Sequence, residues 1–117
     1  IASGHEYFLA TSSQNETPEK FGYLAVVPDE AKNCLMISKI YIREQNRGTG
    51  LGNYLLDFVK KLATDRGLKT IWLTVNRFND DTIDWYKRKG FVIVDEVKKD
   101  IGGGFIMDDY LMELTVD

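Results

Sequence analysis

Three glycines at alternate positions mark the stretch of this sequence in which the spacing of residues points most directly to chemistry. Gly48, Gly50 and Gly52 lie between an apolar, β-rich run and a run whose apolar residues recur at helical spacing. The sequence therefore predicts a strand-to-helix turn in which the backbone can approach a ligand closely. The unpaired N–H groups of a helix start, together with Arg43 and Arg47, would favour an anion there. We expect an extended ligand that carries phosphate groups.

The spacing of these glycines excludes two common phosphate-binding motifs. A P-loop needs Lys followed by Ser or Thr after its last glycine, whereas Gly52 is followed by Asn53 and Tyr54. A dinucleotide-binding fingerprint needs G-x-G-x-x-G, but the glycines here follow G-x-G-x-G. The stretch instead resembles the pyrophosphate loop of the GNAT N-acetyltransferase superfamily, whose pattern is Gln/Arg-x-x-Gly-x-Gly/Ala. The pattern is met twice, once from Gln45 and once from Arg47.

A second motif downstream resembles the same family. Asn79, Thr82, Tyr86 and Gly90-Phe91 match the GNAT signature Asn-x-x-Ala-x-x-x-Tyr-x-x-x-Gly-Phe, with Thr in place of Ala. In the family the Asn contacts CoA and the Tyr hydroxyl lies beside the sulfur, so the resemblance implies these roles for Asn79 and Tyr86. Tyr86 would be the catalytic residue that protonates the departing thiolate. The alternatives without a ligand are a helix cap for Asn79 and a core aromatic for Tyr86.

The resemblance implies acetyl-CoA as co-substrate and no metal. The strand before the glycine turn would offer its backbone to the pantetheine arm, and the turn would hold the pyrophosphate. The residues that this resemblance assigns to acetyl-CoA are Ile40, Tyr41, Ile42, Gln45, Asn46, Arg47, Gly48, Thr49, Gly50, Leu51, Gly52, Asn53, Asn79 and Tyr86.

The order of predicted elements describes a mixed α/β sheet. We predict strands at 5–11, 21–27, 33–43, 70–75, 91–96 and 105–116, a polar turn at 12–17, and helices at 51–65 and 79–89. The strand-helix-strand passage from 33 to 75 implies a right-handed crossover and a parallel pair. The last strand carries apolar residues in both alternating sets, which predicts cover on both faces. This order agrees with an α+β GNAT acyl-CoA N-acyltransferase fold, in a single domain over residues 1–117. A complete GNAT fold also begins with a strand and two helices on the acceptor side, which we expect to be missing from this chain.

Length and composition narrow the class of protein further. A chain of 117 residues with 44% hydrophobic residues and a net charge of −3 indicates one small globular domain. Without an apolar run near the roughly 20 residues of a membrane span and without a signal-peptide pattern, we expect a soluble, cytoplasmic protein. The chain lacks a basic run with interleaved aromatics, which argues against nucleic acid. Cys34 is the only cysteine, so an internal disulfide and a thiolate metal cluster are excluded.

The acceptor and the general base are less clear in the sequence. We expect the acceptor to be a primary amine of a small molecule, such as a polyamine or an amino metabolite, or of a peptide. A finer resemblance, carried by 39–42 and 109–113, is to small bacterial polyamine acetyltransferases of the PaiA type. Many family members carry a Glu on the strand before the glycine turn, where this chain has Ser38 and Lys39. The candidates for the base are Asp108, Asp109, Glu6 and Tyr41; with water as the base, the acids would only attract a cation.

Two other functions stay open at this point. The chain could be a non-catalytic GNAT-like module that binds CoA, or it could transfer acyl groups longer than acetyl. The oligomeric state could be a monomer or a homodimer.

Overall fold

Six strands and two α-helices build the part of the chain that this computed structural model describes, residues 5–11, 20–43 and 50–116. The strands form one sheet in the order β1-β2-β3-β4-β6-β5. In chain order the elements are β1 (Glu6–Thr11), β2 (Lys20–Asp29), a short 3-10 helix (Glu30–Lys32), β3 (Cys34–Ile42), α1 (Leu51–Asp65), β4 (Thr70–Asn76), α2 (Asp80–Arg88), β5 (Val92–Gly102) and β6 (Phe105–Thr115).

The predicted mixed sheet is confirmed, including its parallel pair between β3 and β4 and its hairpin between β5 and β6. Helix α1 has the predicted bounds. The predicted end of the fifth strand at residue 96 is wrong, because the ladder between β5 and β6 continues to the pair Gly102–Phe105. The charged residues in this extension are typical of an edge strand, and they hide the apolar alternation on which the prediction relied. The predicted turn at 12–17 lies outside the described residues.

Both helices pack on one face of the sheet, which we call the helix face. The strands alternate their side chains, and those directed to this face meet the apolar sides of α1 and α2. Full burial of each large aliphatic side chain there contributes roughly 1.5–3 kcal/mol. The buried cluster includes Leu24, Val26, Leu35, Ile37, Leu56, Val59, Ile71, Leu73, Val75, Ile83, Tyr86, Phe91 and Met112. Among the described residues, neither helix is long and apolar enough to cross a lipid bilayer.

The opposite side of the sheet, which we call the open face, carries neither α1 nor α2. Tyr7, Leu9 and Tyr41 lie on it with 68%, 62% and 42% of their surfaces exposed. The expectation that β6 is covered on both faces is therefore met on one face only. Met112 is fully buried on the helix face, whereas Leu111 on the open face is only partly buried.

Strand β3 contains one extra residue, Ser38, where it pairs with β2. Ile37 lies opposite Val26 and Lys39 lies opposite Ala25, so Ser38 is left without a partner across this ladder. Such a β-bulge bends a strand and increases its local twist. The bulge comes directly beyond the part of β3 that pairs with β4.

Strands β3 and β4 run side by side for only part of their length. Cys34–Met36 pairs with Thr70–Trp72, and no further pairs join the two strands. Beyond Met36, β3 continues to Ile42 against β2, while β4 continues to Asn76 against β6. The carboxyl ends of the two strands therefore separate, and a gap opens between them next to the start of α1.

Candidate active site

A cavity of about 790 Å³ lies between the end of β3, the start of α1 and the first turns of α2. Its volume is within the range of small-molecule sites. The residues that line it are Ile40, Tyr41, Ile42, Gly50, Gly52, Asn53, Asp81, Thr82, Trp85 and Tyr86. Both motifs found in the sequence contribute to one wall or another of this cavity.

The first wall is the end of β3. Ile40, Tyr41 and Ile42 lie beyond the last pair with β4, so β4 does not engage this edge of the strand. Where a neighbouring strand has diverged, the edge of a strand can accept an extended ligand as an additional strand. This wall therefore suits a chain-like molecule with amide groups.

The second wall is the start of α1. Gly50 is the N-cap residue and has a left-handed φ of 88°, which glycine adopts without strain. Because glycine has no side chain, Gly50 cannot itself cap the N–H groups of the first helical turn, which are suited to bind an anion. A Cβ atom built on Gly50 would meet no atom within 4 Å. Arg43 follows β3 in the chain, and residues 44–49 lie outside the described part of the chain.

The third wall is α2, with Tyr86 at its inner side. Only 8% of Tyr86 is exposed, and its ring makes edge-to-face contacts with Trp85 and Phe91 at centroid distances of 5.0 and 5.2 Å. Burial raises the pKa of Tyr86 to about 12, because the charged phenolate would lose its hydration. The hydroxyl is therefore protonated at neutral pH and can donate a proton or a hydrogen bond. Tyr86 is a core aromatic and also a residue of the cavity wall.

The structure brings together many of the residues that were predicted to contact acetyl-CoA. Leu51 and Asn79 do not line the cavity, and Gln45, Asn46, Arg47, Gly48 and Thr49 lie outside the described residues. Those that do line it are Ile40, Tyr41, Ile42, Gly50, Gly52, Asn53 and Tyr86.

Asn79 occupies the N-cap position of α2, in agreement with the helix-cap alternative, but its side chain makes no capping hydrogen bond. Its carbonyl oxygen accepts a hydrogen bond from the N–H of Ile83 at 3.0 Å. The residues of this helix start that reach the cavity are instead Asp81 and Thr82. The role of Asn79 in binding CoA stays a prediction.

Sequence reasoning assigned no role in the cavity to Asp81, Thr82 or Trp85. Their spacing could have shown it, because positions 81 and 85, and positions 82 and 86, lie one turn apart on the same side of a helix. Once Tyr86 is placed in the cavity, its helical neighbours follow. Asp81 also lies in the first turn of α2, where a negative charge complements the helix dipole.

Two of the acids considered as a general base are held in ion pairs. Arg77 donates from Nε to Asp108 Oδ1 at 2.8 Å and also binds Glu96. Arg66 binds both carboxylate oxygens of Glu6, at 2.6 and 2.7 Å. The hydrogen bond from Arg66 lowers the pKa of Glu6. Their charges are therefore neutralised by arginine.

Asp109 differs from its neighbour Asp108 in its surroundings. It lies opposite Asn76, the last residue of β4, and no ion pair joins it to the described residues. By strand alternation from the buried Met112, Asp109 is directed to the open face and Asp108 to the helix face. In the described stretches, no three His, Cys, Asp or Glu side chains come together in a way that could hold a metal.

Comparison with known proteins agrees with this geometry. The sequence profile of the Acetyltransferase (GNAT) family matches residues 2–91. The streptothricin acetyltransferase of Streptomyces lavendulae is 33% identical over 70 residues, which cover 60% of this chain and 37% of that protein. The chain spans less than half the length of the curated relatives that it matches. These relatives do not distinguish the PaiA type, so that finer resemblance stays a prediction.

Solved structures share the fold at low sequence identity. A nourseothricin acetyltransferase superposes with a TM-score of 0.82 at 21% identity, covering 99% of this chain and 68% of that one. An acetyltransferase of Bacillus subtilis in complex with CoA superposes with a TM-score of 0.77 at 19% identity, covering 97% of this chain and 78% of that one.

Proposed function

Because the chain belongs to the acetyltransferase (GNAT) family, we propose that it transfers an acetyl group from acetyl-CoA to a primary amine. One observation carries this proposal: a single cavity is bounded by the end of β3 beyond its pairing with β4, the start of α1 and the buried Tyr86. These walls offer a strand edge for an extended arm, helix N–H groups for phosphate and a proton donor. The CoA in the Bacillus subtilis structure supports the choice of donor.

In this proposal the donor lies along the walls in a fixed order. The pyrophosphate binds at the start of α1, where Gly50, Gly52 and Asn53 line the cavity. The sequence also assigns residues 45–49 to the pyrophosphate, and these lie outside the described part of the chain. The pantetheine arm follows Ile40–Ile42 as an added strand. The thioester then lies in the gap between β3 and β4, near Tyr86. Asn79, at the N-cap position of α2, would also contact CoA.

The reaction that fits this geometry is direct attack of the amine on the thioester carbonyl carbon. The new C–N bond forms, the C–S bond breaks, and negative charge develops first on the carbonyl oxygen and then on the sulfur. Backbone N–H groups at the edge of β3 would stabilise the charge on the oxygen. Tyr86 would give its proton to the departing sulfur, and the attacking amine would lose a proton to water.

The acceptor in this proposal reaches the gap from the open face. Of the two aspartates predicted to attract it, Asp108 is neutralised by Arg77. The other is Asp109 on β6, which lies opposite the last residue of β4. A carboxylate there favours a cationic amine such as a polyamine or an amino metabolite. A spermidine/spermine N-acetyltransferase from Vibrio cholerae, whose solved structure is similar in fold, is named for acceptors of this kind.

A second function has one observation in its favour. Tyr86 packs between Trp85 and Phe91 with little exposure, as a purely structural aromatic would. The chain could therefore be a module that binds acetyl-CoA without turning it over. Release of free CoA separates the two functions. We expect a panel of amines to accelerate release from acetyl-CoA; a protein that binds acetyl-CoA but shows no acceleration would be the non-catalytic module.

Two glycines provide a matched test of the donor site. Gly50 and Gly67 both have left-handed φ angles, of 88° and 72°, and a Cβ atom on either would meet no neighbour within 4 Å. Alanine at either position should therefore cost a similar amount of stability, roughly 1–2 kcal/mol. Only Gly50 lies in the cavity wall, so we expect Gly50→Ala to weaken acetyl-CoA binding at least about tenfold and Gly67→Ala to leave it unchanged.

Titration calorimetry with acetyl-CoA measures both variants, and urea unfolding verifies that their stabilities match. Equal acetyl-CoA affinity in Gly50→Ala and the wild type would contradict the placement of the donor at the start of α1.

A further inference from the structure

At the cavity, Trp85 on α2 lies against Gly52 on α1. A Cβ atom built on Gly52 would lie 3.2 Å from Cζ2 and 3.8 Å from Cη2 of Trp85. It would also lie 3.5 Å from Cδ1 of Ile42. All three residues line the cavity, so the indole ring rests against bare backbone in the second wall.

The backbone conformation does not explain why residue 52 is a glycine. Gly52 lies inside α1 and is absent from the residues with positive φ, unlike Gly50. In a helix, alanine is favoured over glycine, so glycine at this position opposes helix stability. The reason visible in the structure is steric, because a Cβ atom at this position would lie 3.2 Å from Trp85, closer than an ordinary van der Waals contact.

Trp85 also contacts the residue that is proposed to act as the acid. Its ring meets the ring of Tyr86 edge to face, with an interplanar angle of 83°. Nζ of Lys89, the C-cap residue of α2, lies 5.4 Å from the centre of the indole ring. A displacement of the indole therefore changes the packing of Tyr86 and also the shape of the second wall of the cavity, the start of α1.

We propose that Trp85 is a positioning residue that couples the start of α1 to Tyr86. The inference rests on the proposed function, in that α1 is taken to hold acetyl-CoA and Tyr86 to act on it. The indole seats against Gly52 and so fixes α2 relative to the helix start. Donor binding at α1 then depends on the position of α2, and the position of Tyr86 depends on α1.

A double-mutant cycle tests the contact itself. Gly52→Ala should lower the urea midpoint in the wild-type background, because the added methyl group displaces the indole. In the Trp85→Leu background the same change should leave the midpoint unchanged or raise it, because the steric conflict is gone and alanine suits a helix better. Equal losses in both backgrounds would overturn the inference. This result does not depend on any ligand.

The functional arm of the test measures affinity and turnover. We expect Gly52→Ala to weaken acetyl-CoA binding by about tenfold in the wild-type background and by much less in the Trp85→Leu background. Trp85→Leu should lower kcat by about tenfold, whereas Trp85→Phe should recover most of it by keeping an aromatic ring beside Tyr86. A Trp85→Leu enzyme with full kcat and normal KM for acetyl-CoA would contradict the coupling to Tyr86.

Trp72 supplies a matched control, because the chain has two tryptophans and Trp72 does not line the cavity. In the Trp72→Phe variant, CoA should change the emission of the remaining tryptophan. In the Trp85→Phe variant CoA should leave the emission unchanged, and an equal response in both variants would count against the assignment.

If the wild type binds no acetyl-CoA, the proposed function fails, while the stability cycle still decides whether Trp85 and Gly52 are coupled.

Discussion

The two faces of the sheet are built in different ways. The helix face carries α1, α2, the buried cluster and the cavity, and its functional groups come from stretches that are continuous in the chain. The open face carries exposed aromatic side chains and Asp109, which lies at the end of β4 only because β6 pairs with β4. In the proposed function the donor belongs to the first face and the acceptor to the second. In such a site the donor half is determined by the spacing of residues close together in the chain. The acceptor half is determined by the register in which β6 pairs with β4.

The largest effect should come from the helix face, at Tyr86. If its hydroxyl protonates the departing thiolate, Tyr86→Phe should lower kcat by roughly 10²–10⁴-fold while the affinity for acetyl-CoA stays nearly unchanged. Steady-state kinetics and calorimetry measure the two quantities. Tyr54→Phe is a suitable control, because Tyr54 lies on α1 with 66% of its surface exposed and outside the cavity. Full kcat in Tyr86→Phe would make water the proton source and reduce Tyr86 to a core aromatic.

The open face should respond through the acceptor. Asp109→Asn should raise KM for a polyamine by about fivefold with little change in kcat, because an exposed charge pair is worth about 1 kcal/mol in water. Its neighbour is the matched control, since Asp108 is directed to the helix face and is paired with Arg77. Asp108→Asn should lower stability and leave the acceptor KM unchanged. An equal rise in KM from both variants would contradict the prediction that only the aspartate on the open face attracts the acceptor.

The smallest effect should come from the ion pair that joins β1 to the end of α1. Both side chains are about a third exposed, so Glu6→Gln should lower the free energy of unfolding at pH 7 by at most about 1 kcal/mol. The pKa of Glu6 is lowered from 4.5 in the folded state by the hydrogen bond from Arg66. The stabilisation is therefore present above pH 4.5 and is lost as the pH falls through the lowered pKa.

Urea unfolding at pH 7 and pH 3 measures this difference between Glu6→Gln and the wild type. Arg66→Gln should show the same loss at pH 7, and the double variant should show no further loss. A stability difference that persists at pH 3 would mean that Glu6 acts through packing rather than through its charge.

The parts of the molecule that were predicted correctly depend on residues close together in the chain. The bounds of α1 follow from a glycine at its start, apolar residues at helical spacing and Gly67 with a left-handed φ after its end. The pairing of Asp108 with Arg77 joins residues far apart in sequence and could not be read from either strand alone. The contact between Trp85 and Gly52 has the same character, because it depends on how two helices dock.

Because of the bulge at Ser38, the bend of β3 and the alternation of its side chains between the two faces can change independently. Removing Ser38 would restore a regular ladder with β2 and would keep Ile37 and Ile40 on the helix face, since the residues on either side of the bulge already alternate across it. The inward pattern of the strand would survive, but its bend would not. A single deletion would thus produce a protein with an intact core and a straighter β3, in which the gap beside β4 is narrowed. The bend of β3 thus depends on the number of residues in the strand, which a deletion changes, and not on which residue occupies position 38.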